Sequence, residues 1–141
     1  MKKRAGEHRQ RPLRVFVLDG EALSLAVRGD RTMIAWLELA ARGEAEVVTS
    51  PMTLVEAYDG RTTEQRWDWV LSRLEVADIG RDEARQARRL LAHAKLHVHK
   101  YAIDAVLAVI ARQRKGQVTV FTSDVDDLEQ LLPASIVVKK V

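Results

Sequence analysis

The residues of this sequence that are best suited to chemistry are four carboxylates set in or beside apolar stretches. Asp19 directly follows the run Val-Phe-Val-Leu, and Asp124 comes shortly after the run Val-Thr-Val-Phe. Asp104 stands alone in a stretch that is otherwise almost wholly apolar, and Glu56 lies in a predicted helix that starts at Ser50. A carboxylate buried without a partner costs several kcal/mol, comparable to the stability of a small domain. We therefore expect a cationic group to face Asp104.

The absence of cysteine limits the chemistry that these acids can serve. With no Cys among the 141 residues, disulfides, thiolate catalysis and Cys-type zinc sites are excluded, and a metal ion must be held by oxygen or imidazole. Several acids without Cys suit a hard divalent cation, for which Mg²⁺ is the first choice and Mn²⁺ an alternative. Two such ions can clamp the attacking and leaving oxygens of an in-line phosphoryl transfer. Hydrolysis of phosphodiester bonds is the natural reaction class.

Two of the acids also have a purely structural interpretation. Asp104 would complement the helix dipole, an effect of about 0.3–1 kcal/mol, if it lay in the first turn of its helix. Glu56 would be an ordinary solvated helix residue. The sequence alone leaves the alternatives for Asp104 evenly balanced. The position of Glu56 after the second strand, at the edge of the sheet that also carries Asp19, favours a functional role.

The polar neighbours of the acids carry the same ambiguity. Ser50 and Thr122 are most simply a helix cap and a strand end, although either hydroxyl can orient a carboxylate by hydrogen bonding. Of the run Asp124, Asp126 and Asp127, at least one is expected to begin a helix.

Alternating short apolar runs and helical patterns predict the elements that position these residues. Strands are predicted at residues 15–18, 47–49, 74–79, 118–122 and 136–138. This alternation is typical of an α/β domain with a mostly parallel sheet covered by helices on both faces. The first and fourth strands are the most apolar and the third the least, which predicts a five-stranded order 3-2-1-4-5. In that order Asp19 and Asp124 face each other where the strand order reverses.

The chain has the composition of one globular domain with a basic N-terminal segment. Of its residues 47% are apolar, and no stretch approaches the roughly 20 apolar residues of a membrane span. Residues 1–14 carry a net charge of +5, which leaves −2 on the rest. We expect residues 1–13 to form a mobile basic tail and residues 14–141 the folded domain. Because residues 1–14 lack the apolar centre of a signal peptide, a cytoplasmic location without membrane association is expected.

The acids and their neighbours together resemble a known family. The segments are Val-Leu-Asp19, the helical Glu56, Asp104-Ala-Val-Leu-Ala and Thr122-Ser-Asp124-Val-Asp-Asp127-Leu. In order and spacing they are similar to the PIN-domain ribonucleases, and within them to the VapC-like toxins of bacterial toxin–antitoxin pairs. The resemblance covers residues 14–141 and implies a three-layer α/β/α PIN-like domain.

The resemblance also implies an activity and a set of roles. It implies a magnesium-dependent endoribonuclease with RNA as substrate, a cognate antitoxin protein as partner, and a homodimer. Asp19, Glu56, Asp104 and Asp124 would be the catalytic residues. Asp127 would join Asp19, Asp104 and Asp124 as a metal ligand. The alternative is a noncatalytic PIN-like binding or regulatory module. A phospho-receiver domain is disfavoured because no phosphoacceptor Asp follows the third strand.

The sequence departs from the family pattern at a few positions. Gly20 follows Asp19 where Ala or Thr is usual, and Leu128 replaces a common Phe. A link of residues 97–100, His-Val-His-Lys, precedes a helix predicted at residues 101–114, and its two His are expected to be polar loop residues. These departures concern the choice of substrate more than the chemistry.

Cationic and aromatic side chains outside the acidic site suggest contacts with partners. Arg85, Arg88, Arg89 and Lys100 precede Asp104 and are candidates for contact with RNA phosphate or with acidic groups of a partner, although a solvated basic face is an equally good interpretation. Parts of the tryptophans are expected to be exposed near a homodimer interface. These residues are Trp36, Trp67 and Trp69.

Overall fold

Five parallel strands form one sheet. The computed structural model describes residues 13–57 and 61–141. Its strands are Arg14–Leu18 (β1), Glu46–Thr49 (β2), Glu75–Val76 (β3), Gln117–Thr122 (β4) and Val137–Lys140 (β5). They lie in the order β3-β2-β1-β4-β5, and every neighbouring pair is parallel. The predicted fold class, the strand order and the edge position of the third strand are confirmed.

Helices cover both faces of the sheet. They are Gly20–Val27 (α1), Arg31–Ala41 (α2), Pro51–Glu56 (α3), Glu64–Leu71 (α4), Arg81–Ala94 (α5), Val98–Gln113 (α6) and Val125–Glu129 (α7). Side chains alternate along β1, so Val15 and Val17 pack against α5, α6 and α7, while Phe16 and Leu18 pack against α1, α2 and α4. Each such buried side chain stabilises the fold by roughly 1.5–3 kcal/mol. The two apolar cores hold the sheet between the helical layers.

The strand register brings the carboxyl ends of three strands together. Leu18, at the end of β1, pairs with Thr49 of β2 and with Phe121 of β4. Because the strands are parallel, the residues that follow these three positions lie at one edge of the sheet. Asp19 and Thr122 are therefore neighbours although a hundred residues separate them in sequence.

The last long helix begins earlier than predicted. α6 starts at Val98, so residues 98–100 form its first turn, and the predicted link at residues 97–100 is wrong. The connection is residues 95–97, in which Lys95 adopts the left-handed conformation with φ 58° and ends α5. A run of His, Val, His and Lys is typical of a loop, and His97 does precede the helix, but Val98, His99 and Lys100 occupy its exposed first turn.

The third strand is shorter than predicted. β3 has two residues in place of the six expected, since only Glu75 and Val76 pair with β2. The N–H of the next residue, Ala77, still donates to the Thr49 carbonyl at 2.9 Å, and α5 begins four residues later. A short, half-exposed edge strand offers little unpaired backbone to other chains.

Some sequence-based expectations lie outside the described part of the chain. The predicted basic tail falls there apart from Leu13, so the boundary at residue 13 stays a prediction.

Among the three tryptophans, Trp67 is only 6% exposed and contributes little to a surface, whereas Trp36 and Trp69 are half-buried. No helix within residues 13–57 and 61–141 has the length and apolar character needed to cross a membrane.

Gly116 provides a test of how tightly the start of β4 packs. It has φ +105°, and a Cβ there would overlap the Leu13 carbonyl, which accepts a hydrogen bond from the Gln117 N–H at 2.7 Å. We expect Gly116→Ala to destabilise the fold by more than the roughly 1–2 kcal/mol of a left-handed alanine alone.

Gly43→Ala is the matched control for this prediction. Gly43 has φ +77°, but nothing lies within 4 Å of a Cβ built there. Urea denaturation of both variants gives the two losses in the free energy of unfolding. Equal losses would contradict the overlap with Leu13.

Candidate metal centre

The carboxylates singled out in the sequence lie at the carboxyl edge of the sheet, on different elements. Asp19 joins β1 to α1, Glu56 ends α3, and Asp104 lies in the second turn of α6. Asp124 precedes α7, and Asp127 lies in its first turn. All four of the other acids raise the pKa of Asp104 through their charge, so the five form one electrostatic site.

Three of these acids are close enough to share one metal ion. One carboxylate oxygen from each of Asp104, Asp124 and Asp127 lies within 4.8 Å of the other two. We call these three residues the acidic cluster. Asp104 and Asp127 are half-buried and Asp124 is exposed, so the cluster is open to solvent. An all-carboxylate set fits Mg²⁺ or Mn²⁺, hard cations that prefer oxygen ligands and retain several waters.

The environment of Asp104 strengthens this fit. No ion pair between Asp104 and a Lys or Arg occurs in the described part of the chain. Burial, followed by the charges of the surrounding carboxylates, raises the pKa of Asp104 to about 7. Because α6 begins at Val98, Asp104 lies beyond the first turn, and complementing the helix dipole does not explain it. The cationic group expected to face Asp104 is thus best supplied by a bound metal.

Asp19 is the most buried of the five acids and is already engaged by the protein. Its Oδ1 accepts a hydrogen bond from the Ala22 N–H at 2.9 Å and caps α1, and its Oδ2 accepts one from the Ser123 N–H at 3.1 Å. Burial raises the pKa of Asp19, as does the charge of Asp124, while the hydrogen bonds from Ala22, Thr122 and Ser123 lower it. Asp19 therefore ties β1 and α1 to the loop after β4.

The two hydroxyl side chains flanking the site act differently from each other. Thr122 Oγ1 accepts a hydrogen bond from the Asp124 N–H at 2.8 Å, and the Thr122 hydroxyl also bonds to Asp19. Ser50 Oγ accepts from the Met52 N–H at 2.9 Å and caps α3. Thr122 thus contacts two of the predicted site residues. Ser50 Oγ instead accepts its hydrogen bond from the first turn of the helix that Ser50 caps.

Glu56 approaches the site through a gap left by Gly20. Its carboxylate lies so close to Gly20 that a Cβ at that position would overlap Glu56 Oε1. The side chain as a whole is exposed. Partial burial of the carboxylate, followed by the charges of Asp19 and Asp124, raises the pKa of Glu56. Gly20, which departs from the usual Ala or Thr, therefore lets this acid approach the amino end of α1.

The candidate phosphate contacts lie on the same helical layer as Asp104. Three of them, Arg85, Arg88 and Arg89, are exposed on α5. This helix packs antiparallel to α6, and Gln113 Nε2 at the end of α6 donates to Glu83 Oε2 at the start of α5 at 3.2 Å. Lys100 is exposed on α6 and lies four residues before Asp104. Its Nζ is 5.3 Å from the Tyr101 ring centroid. None of these cations forms an ion pair with another residue of the described ranges. His97 and His99 are also exposed there, with ring centroids 5.9 Å apart.

The sequence comparison decides the family. The family model of the PIN domain matches residues 16–131. The chain belongs to the PIN-domain family. Eight chains of solved structures are significantly similar to it. One is the crystal structure of VapBC2 from Rickettsia felis bound to a DNA fragment from their promoter, with 16% sequence identity and a TM-score of 0.64. The match covers 90% of this chain and 98% of that chain, and it shows a shared fold. No curated protein is significantly similar to this one.

In this PIN domain, two residues near the acids were missed by sequence reasoning. Lys140 Nζ donates to the Ser123 carbonyl at 3.0 Å, and the Ser123 N–H in turn donates to Asp19. Lys140 pairs with Thr122 in the β4–β5 register. The one sequence feature that could have pointed to Lys140 was the presence of a Lys at the end of the last predicted strand. Only the register, which the sequence does not specify, brings Lys140 next to the site.

Asp104 gives a test of the acidic cluster in the metal-free protein. Its pKa of about 7 in the fold exceeds the ordinary value of 3.8, so its protonated form stabilises the fold below about pH 4 and this contribution is lost as the pH rises through 7. In EDTA above about pH 7, we expect Asp104→Asn to raise Tm by several degrees, because a gain of 1 kcal/mol shifts Tm by roughly 2–8 °C in domains of this size range. Near pH 4 the gain should vanish.

Asp126→Asn is the control, since Asp126 is exposed beside the cluster but does not belong to it. It should give no comparable gain. Added Mg²⁺ should stabilise the wild type by mass action and Asp104→Asn much less. A variant that melts lower than the wild type in EDTA, yet gains as much from Mg²⁺, would remove Asp104 from the site.

Proposed function

We propose that this PIN-domain protein is a divalent-metal-dependent endoribonuclease that hydrolyses RNA phosphodiester bonds. The observation that carries the proposal is the acidic cluster, whose three carboxylates lie within 4.8 Å of one another without a described cation between them. A structural acid is normally paired with a cation or fully solvated, whereas Asp104 is half-buried and forms no ion pair within the described residues. The acidic cluster also lies at the carboxyl edge of the parallel sheet, which is where open α/β folds bind their ligands.

The chain's own residues divide the work of this reaction. Asp104, Asp124 and Asp127 would hold Mg²⁺, or Mn²⁺, which when bound activates a water and offsets the charge that develops on the phosphate. Glu56, whose raised pKa suits a proton acceptor that later releases its proton, would take the proton from the attacking water. Asp19 positions Ser123 and hence Asp124. Because each carboxylate oxygen can accept a second contact, Asp19 can also bind the metal or a metal-bound water.

We further propose that the protein is the toxin of a toxin–antitoxin pair and has a cognate antitoxin as partner. The VapC-like motifs and the similarity to VapBC2 support this. Met52 is 44% exposed and Val55 is 74% exposed on α3, beside Glu56. This apolar surface is suited to cover by a protein partner. The homodimer and the cytoplasmic location stay predictions.

Cleavage of single-stranded RNA in Mg²⁺ tests the nuclease. We expect endonucleolytic products with the wild type, loss in EDTA, and recovery with Mg²⁺ or Mn²⁺. Asp104→Asn, Asp127→Asn and Glu56→Gln should each reduce the rate by roughly 100-fold or more, the size of general acid–base and metal-ion contributions. Gel analysis of an end-labelled RNA measures the rates.

Asp126→Asn should cleave like the wild type, because Asp126 neighbours Asp127 on α7 but lies outside the acidic cluster. Calorimetric Mg²⁺ binding without cleavage of any RNA would favour the noncatalytic binding module. Activity that survives EDTA would contradict the metal-dependent mechanism.

We propose that Arg85, Arg88 and Arg89 contact RNA phosphate. They are exposed on α5, which packs antiparallel to the helix that carries Asp104, and Arg88 and Arg89 lie closer to the level of Asp104 than Arg85 does. Arg85→Glu combined with Arg88→Glu should weaken RNA binding and lower the slope of log affinity against log salt by roughly 1–2. Lys115→Glu is the control, because Lys115 is exposed before β4, at the opposite edge of the sheet. If affinity for RNA does not change while an antitoxin binds more weakly, the arginines serve the protein partner.

A further inference from the structure

A second concave site lies next to the metal centre, on the α1–α2 side of the sheet. It is a cavity of about 430 Å³ between α1, α2 and the ends of β4 and β5. Its floor is apolar and includes Met33, Trp36 and Phe121, and its polar lining includes Asp30, Lys139 and Lys140. We call this cavity the Trp36 pocket. An apolar floor with a few polar groups, in this volume range, is typical of sites for small ligands.

The floor of the pocket is a rigid group of aromatic rings. The Trp36 ring lies 4.9 Å from Phe16 and 5.8 Å from Phe121, centroid to centroid. The Arg14 guanidinium lies 6.0 Å from the Trp36 ring centroid and 5.4 Å from that of Phe16. Trp36 Nε1 is buried and has no hydrogen-bond partner in the described part of the chain. A fixed, half-buried indole that still lines a cavity offers a stacking surface for a flat ring.

The cations of the pocket connect it to the acids. Lys140 lines the pocket, and its Nζ donates to the carbonyl of Ser123, whose N–H donates to Asp19. Lys139 pairs with Phe121 in the sheet, so its side chain projects on the same face as that ring. Lys140, the next residue of the strand, projects toward the other face, and both lysines are exposed residues. Positive charge therefore stands between an aromatic floor and a candidate phosphodiester-cleaving centre.

We propose that the Trp36 pocket binds the base of a nucleotide next to the cleaved phosphodiester, with Trp36 as the stacking surface and Lys139 as the cation that faces its phosphate. The proposal rests on the ribonuclease function proposed above and adds a specificity-determining site to it. Asp30, whose Oδ2 accepts the Met33 N–H at 3.1 Å, keeps Oδ1 for a base N–H donor. An exposed lysine beside an aromatic floor favours an anionic, flat ligand over an apolar protein segment.

Mononucleotide binding tests the pocket without requiring cleavage. Adenosine and uridine monophosphates are titrated into ¹⁵N-labelled full-length protein in EDTA, and the indole N–H signals of the three tryptophans are followed. We expect the Trp36 signal, assigned with Trp36→Phe, to shift while that of Trp69 does not. Ribose 5-phosphate, which lacks a base, should leave the Trp36 signal in place. Unchanged Trp36 signals with both nucleotides would overturn the proposal.

RNA binding then tests the position of the pocket relative to the cleaved bond. In the Asp104→Asn background, which prevents cleavage, fluorescence anisotropy compares short RNAs that carry one abasic nucleotide at successive positions around the cleavage site. One abasic position should weaken binding by roughly 5-fold or more, the size of one stacked base. Trp36→Leu should cause a similar loss and remove the effect of that abasic position. Trp36→Phe should retain most of it.

Two further variants keep the test decisive. Trp69→Leu removes another half-buried indole and should not change the abasic pattern. If Trp36→Leu fails to fold, Lys139→Gln replaces it, since Lys139 is exposed at a sheet edge, and it should weaken RNA binding more than Lys115→Gln. If the wild type cleaves RNA but substitution of Trp36 or Lys139 changes the effect of no abasic position, the pocket proposal is overturned and the nuclease proposal stands. Nucleotide binding at Trp36 without RNA cleavage overturns the nuclease and leaves the pocket. If Trp36→Leu changes the sedimentation of the protein but leaves its nucleotide binding unchanged, the pocket serves contact with a second copy of the chain. That result would overturn the proposal.

Discussion

The structure of the site depends on the hydrogen bonds that hold one buried carboxylate, Asp19. Its two oxygens receive N–H groups from α1 and from the loop after β4, elements that are remote in sequence. This arrangement fixes where α1 starts, where Ser123 lies and, through Ser123, where the chain presents Asp124. Burial of the Asp19 carboxylate costs free energy, and the hydrogen bonds by which it joins β1, α1 and the loop after β4 offset that cost. The other acids are placed around this fixed point.

Around that point the protein concentrates negative charge that it does not neutralise with side chains of the described residues. The pKa values of Asp19, Glu56 and Asp104 are all raised, in each case first by burial and then by neighbouring acids. Such a site reduces the stability of the metal-free fold and increases the gain from binding a cation. The two apolar cores, which meet at β1, provide the stability that this requires. The candidate metal centre is thus a part of the fold where uncompensated charge opposes folding in the metal-free protein.

The sequence predicted the sheet order and the edge at which the acids meet, because strand apolarity reports burial and parallel strands share a carboxyl edge. It did not predict that Asp19 caps α1, since a cap depends on backbone geometry that the residue type leaves open. It placed the start of α6 three residues late because exposed helical turns and loops have the same composition. It also placed Trp36 near a homodimer interface, which stays a prediction. The Trp36 pocket brings together Trp36 of α2 and Lys139 of β5, which are more than a hundred residues apart, and no local sequence pattern predicts that they meet.

The contact between Gly20 and Glu56 has an evolutionary consequence. The two residues lie on different elements, yet the absence of a Cβ at Gly20 sets how near the acid of α3 can come to α1. A relative with Ala or Thr at the first position must hold its acid in another rotamer or further from the sheet edge. Substitutions at these two positions should therefore be correlated across the family, with glycine accompanying a drawn-in carboxylate. Residue 20 would then act as a spacer whose size tunes the geometry of a site that it does not itself enter.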